Sequence, residues 1–207
     1  MHISEGILSA PVLAGGAALA AGGVAVGLRK MDYEKIPEVA VMTSAFFVAS
    51  LVRVPLGPGS VHLTLNGLMG LLLGWMSFPA MLVALGLQAV LFQFGGLTTL
   101  GVNTFNMAAP AVAAHYLLRP LLRGGGKTAW AVAGFLAGVF GIAGGASLVA
   151  LSLTMTGEEF SAVAKTLLVA NVPVAAAEGV VTAFALLFLR KVKPELLNNS
   201  HPGREGR

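Results

Sequence analysis

"LTLNGLMGLLLGWMSFPAMLVALGLQAVLFQF" (residues 63–94) is one apolar run, interrupted only where "WMSFPAM" (75–81) brings in a proline. A membrane-spanning helix needs about 20 apolar residues, so this run is too long for one crossing and short for two. Pro79 suits the first turn of a new helix, where a missing N–H costs nothing. The run therefore divides into segments at 63–77 and 79–94, each about 15 residues, which are short, tilted or partly sunk within the protein.

Working outward from this run, further apolar segments fall at roughly 7–28, 36–52, 104–122, 129–152 and 166–189. The chain of 207 residues is 56% hydrophobic and only 11% charged, against about a quarter charged in soluble domains. The expected fold class is an all-α integral membrane protein with about seven transmembrane helices. Residues 1–190 form one membrane domain, followed by a polar cytoplasmic tail over 191–207. "APVLAGGAALAAGG" (10–23) has the look of a secretory signal core. Yet Glu5 is the only charged side chain before it, so it is expected to stay as the first helix, with the N-terminus outside.

Charge tests that topology, because short cytoplasmic loops collect Lys and Arg. With the N-terminus outside and the C-terminus inside, eleven basic residues fall inside, from Arg29, Lys30 and Lys35 to Arg204 and Arg207. Only Arg53 and Lys165 fall outside. The net charge of +4 thus reflects topology and gives no argument for nucleic acid. The chain has no cysteine, which excludes disulfides, thiolate metal sites and cysteine nucleophiles. The same topology gathers the N-terminus, "RVPLGPGSVH" (53–62) and "GGLTTLGVNTFN" (95–106) on one outer face.

The first two residues could chelate a metal. The amine of Met1, the backbone nitrogen of His2 and its imidazole would close a five-membered and then a six-membered ring. Planar nitrogen coordination of this kind is typical of Ni2+ and Cu2+. A chance early histidine is the plain alternative. His62 changes the balance, since it ends an outer loop on the same side as His2. His115 lies toward the inner half of the fifth segment, and His201 lies in the tail. Within 95–107, Asn103 or Thr104 could cap the helix that follows, or could orient His2 or His62 from behind.

Glu178, in "VPVAAAEGVVTAF" (172–184), falls mid-segment. A carboxylate at that depth marks either function or a buried polar contact, and a structural bond is the favoured reading. Gly67, Gly70 and Gly74, with the small residues of 14–23, permit close helix approach, chiefly within the chain. "RGGGKT" (123–128) is a decoy for a phosphate-binding loop, because position 121 is Leu and no strand precedes it. The chain shows no ATPase of its own. Two other classes were weighed. A membrane hydrolase finds support only in Glu178 and His115, without G-x-S-x-G. A secondary transporter or channel lacks matching broken helices in its two halves.

"MHISEGIL" (1–8), "GPGSVHLTLNGLMGLLLGW" (57–75) and "LFQFGGLTTLGVNTFNMAAPA" (91–111) together resemble the nickel/cobalt-specific S components of energy-coupling factor transporters. The resemblance runs from residue 1 to about 190. It implies a seven-helix, multi-pass subunit of a bacterial or archaeal plasma membrane that captures Ni2+ or Co2+ as transported substrate, with no organic cofactor. The ligands it implies are the N-terminal amine, the His2 amide and imidazole, and a further histidine matching His62. It also implies a transmembrane coupling subunit, two cytoplasmic ATPases and a small accessory membrane protein as partners. The resemblance further implies a link between cobalt uptake and cobalamin biosynthesis.

Overall fold

The structure, a computed structural model, describes residues 2–51, 53–56, 59–122 and 125–194, with 53–56 and 59–62 by backbone alone. Among these residues seven α-helices form: α1 (Ala10–Arg29), α2 (Ile36–Ala49), α3 (Asn66–Leu73), α4 (Ser77–Phe92), α5 (Leu100–Leu118), α6 (Lys127–Thr156) and α7 (Ser161–Val192). Pro11 and Pro37 stand in the first turns of α1 and α2, where the backbone N–H has no intrahelical partner to lose. What reads in the sequence as a Gly/Pro loop is a hairpin of β1 (Arg53–Leu56) and β2 (Gly59–His62), antiparallel, pairing Arg53 with His62.

Helix pairs are sorted by side-chain size. Helices α6 and α7 run antiparallel, with Gly134 against Ala183 and Gly138 against the backbone of Glu178. Phe46, Met69, Met81, Leu85 and Met107 fill a core among α2 to α5. A second core joins Ile3 and Leu8 of the N-terminal segment to Val102, Ile142, Leu153 and Leu167. The opening residues are thus part of the packed interior. Val169, Val172, Phe184 and Phe188 of α7 stay exposed, as suits a helix whose outer face meets lipid. Among the described residues, four helical runs are long and apolar enough to cross a membrane: Ala10–Arg29, Asn66–Phe92, Lys127–Thr156 and Glu158–Val192.

The third expected crossing is corrected. α3 is only eight residues long, about 12 Å at the helical rise, less than half a bilayer core. It begins beside the middle of α6, where Gly67 meets the Ala137 carbonyl and Asn66 lies against Gly141. It then runs beside the second half of α5, with Gly70 on Ala111 and Gly74 on His115. Leu65, at its start, has φ 53°, and Gly74, at its end, has φ 53°. Non-helical backbone at such depth is tolerable only where protein surrounds it, and all of Asn66–Leu73 is buried. A second correction concerns α5, which starts at Leu100 with Thr99 at its N-cap position. Asn103 and Thr104 therefore lie inside its first turns and do not cap it.

Gly70 makes this arrangement testable. A Cβ there would overlap the Ala111 carbonyl oxygen, and backbone cannot swing aside as a side chain can. Gly70→Ala is expected to force α3 from α5 and cost about 1–3 kcal/mol. Thermal unfolding in detergent would read this as a lowered midpoint, and an unchanged midpoint would contradict the packing described.

Candidate metal centre

The N-terminal segment is held by its main chain. The Ile3 N–H donates to Asn103 Oδ1 at 2.9 Å, and Asn103 Nδ2 donates to the Ile3 carbonyl at 3.0 Å. One carboxamide thus pairs both polar groups of one residue, as a neighbouring strand would. Thr99 Oγ1 donates to the same carbonyl at 3.0 Å and accepts from Asn103 Nδ2 at 3.2 Å. Thr99 and Asn103 are four residues apart, so the first turn of α5 puts both on one face. His2 is 4% exposed and Ile3 1%.

Further contacts seat the rest of the segment. Glu5 Oε1 accepts from the Thr98 N–H at 3.1 Å, and the Ser9 N–H donates to Thr156 Oγ1 at 3.3 Å. Gly95 and Gly96 form the floor beneath. A Cβ on Gly95, whose φ is +78°, would come within 3.5 Å of His2 Cδ2, and one on Gly96 would overlap the Glu5 side chain. Gly95 is therefore fixed by its positive φ and by Asn103, whose Nδ2 would lie 3.0 Å from a Cβ, and Gly96 by the close approach of Glu5. Sequence reading missed this floor, and it missed Thr99. The i, i+4 spacing of Thr99 and Asn103 was the available signal.

His62 ends β2, and the chain just after it is tied to α7. The Thr64 N–H donates to Glu178 Oε2 at 3.0 Å, and the N–H groups of Leu65 and Asn66 face the same carboxylate. Glu178 is fully buried. The structural bond expected of it is therefore present, and its partner is the backbone leading out of the His62 strand. The side chain of His62, like the whole of Met1, lies outside the described residues.

The remaining candidates part company. Asn103 is brought to the N-terminal segment through Ile3, one residue beyond the expected His2. Thr104 is buried, and its hydroxyl finds no hydrogen-bond partner among the described residues. His115 Nδ1 lies 2.9 Å from the Gly70 carbonyl and its Nε2 lies 3.1 Å from Arg119. It stands where α3 ends, whereas Glu178 stands where α3 begins, so these two do not form the acid–histidine pair a hydrolase would need.

Residues 2–196 match the model of the CbiM family, described as the cobalt uptake substrate-specific transmembrane region. A putative metal transport protein of Haemophilus influenzae is 44% identical over 97% of this chain and 98% of its own. Cobalt transport protein CbiM of Sorangium cellulosum is 35% identical over 96% of this chain and 95% of its own. The fused nickel transport protein NikMN of Rhodobacter capsulatus is 32% identical over 95% of this chain, which spans 64% of that longer protein. The crystal structure of a transition metal transporter superposes with a TM-score of 0.81 at 26% identity, covering 99% of this chain and 100% of the other. With a family match that begins at His2 and runs past the end of α7, the chain belongs to the CbiM family of substrate-specific transmembrane proteins of cobalt uptake.

Proposed function

We propose that this chain is the substrate-capturing membrane subunit of an ATP-driven importer for Ni2+ or Co2+. It takes the ion at the outer face through the Met1 amine, the His2 amide nitrogen and imidazole, and His62. The observation that carries this reading is the two-way bond between Asn103 and Ile3. It fixes the main chain directly after His2, so the nitrogens of a chelate would be held in place before an ion arrives. Such order raises affinity by reducing what binding must immobilise. Four nitrogens in a plane suit Ni2+, and the cobalt and nickel names among the relatives support these two ions over others. Asn103 and Thr99 serve as the outer support of the site, acting on Ile3.

The excess of basic residues on one side supports an outward N-terminus. Energy would come from separate partners: a transmembrane coupling subunit, two cytoplasmic ATPases and a small accessory membrane protein. The reading is tested with protein purified in detergent. Wild type is expected to bind about one Ni2+ or Co2+ and to release it on acidification, as amine and imidazole take up protons. His2→Ala combined with His62→Ala is expected to abolish binding; normal binding by that variant would refute the site. Uptake into vesicles holding this subunit alone would instead favour a secondary transporter.

A further inference from the structure

The two arms of this site hang from different helices. The N-terminal segment is tied to α5 through Thr99 and Asn103. The chain that follows His62 is tied to α7 through Glu178. Neither helix can slide freely: Gly16 and Gly101 bring α1 onto α5, and Gly138 and Gly179 bring α6 onto α7, each with no room for a Cβ.

Glu178 also performs a task that nearer residues could have taken. The first N–H groups of a helix lack intrahelical partners and favour a negative charge. Thr and Asn close by are the ordinary local solution. Thr64 and Asn66 flank the start of α3, yet among the described residues their fully buried side chains find no hydrogen-bond partner. The acceptor comes instead from Glu178, 114 positions away in sequence. A long-range carboxylate does what a local cap does not: it sets the position of the His62 arm relative to α7.

We propose that Glu178 is a positioning residue for metal capture, holding the His62 arm in register with the N-terminal chelate through the Thr64 N–H. This rests on the metal site proposed above. Second-tier groups of this kind change metal affinity by about 10–100-fold.

The test uses full-length protein with a free N-terminus and follows both Ni2+ affinity and the visible absorption of the loaded protein. Glu178→Asp keeps the charge and shortens the reach by one methylene. It is expected to weaken Ni2+ binding by about 10–100-fold and to move the spectrum toward that of His62→Ala. In the His62→Ala background the same change is expected to cost nothing further. Wild-type affinity and spectrum in Glu178→Asp would overturn the proposal while leaving the metal site standing. So would an equal loss in both backgrounds, which is what general loosening of the fold produces. If Glu178→Asp does not fold, Glu178→Gln, of equal length, is read by the same two criteria. Failure of the wild type itself to bind would remove the metal site and this inference together.

Discussion

Two residues added ahead of Met1 are expected to abolish stoichiometric Ni2+ and Co2+ binding. The extension turns the terminal amine, which binds once it sheds an easily lost proton, into a peptide nitrogen, which binds only after giving up a strongly held one. The chelate would then need two peptide nitrogens deprotonated instead of one, which weakens binding near neutral pH. Space adds a second obstacle. His2 is almost wholly buried beside Gly95, and Ile3 is locked to Asn103, so the segment from His2 onward cannot shift to make room for a longer terminus. The measurement is metal content and titration of protein carrying only a C-terminal tag, with and without the extension. Equal binding by both would move the search to the surroundings of His62, His115 and Glu178. Loss of binding would make the relative Ni2+ and Co2+ affinities of the wild type the next quantity of interest.

Asn103→Leu is expected to produce the second largest effect. Leucine is close to asparagine in size and suits the apolar neighbours Val102 and Met107. It would leave the Ile3 N–H and carbonyl without the carboxamide, the carbonyl keeping only Thr99. A buried polar group without its partner costs about 1–3 kcal/mol, and each 1.4 kcal/mol is about tenfold in an equilibrium. The N-terminal segment should therefore dock about 5- to 100-fold less well, and Ni2+ affinity should fall with it while helix content holds. Thr104→Val is the internal control. It removes a hydroxyl with no partner among the described residues one position along the same turn, and it should leave affinity unchanged. Equal losses in the two variants would mean that Asn103 matters only as part of the α5 core.

The plan of the chain was largely legible before the structure. Apolar length and the placement of Lys and Arg pointed to a multi-pass membrane protein, and α1, α2, α4, α6 and α7 lie within a few residues of the expected segments. Met1-His2 and His62 stood out because they are chemically unusual in such a chain. The sequence left the third segment open as short, tilted or partly sunk, for a physical reason. Leu65 to Leu73 is as apolar as any lipid-spanning helix, and composition reports that a residue avoids water without telling whether lipid or protein surrounds it. Only the packing of Gly67 on α6 and Gly70 on α5 shows that protein does.

The same division holds for the site. Asn103, Thr104 and Glu178 are conspicuous polar residues in apolar surroundings, so each was expected to have a partner or a role. Their partners could not be read from the chain, because the Ile3 main chain lies 100 positions from Asn103 and Thr64 lies 114 from Glu178. The sequence by itself determined that this is a membrane protein, and it singled out a Met-His terminus able to chelate a metal and a second histidine after a Gly/Pro segment. Tertiary structure alone decided that α3 is a buried half-helix, that Asn103 holds Ile3, and that Glu178 caps α3 from across the fold. Composition and spacing record local burial and local geometry; a hydrogen bond between distant segments exists only once the helices between them have packed.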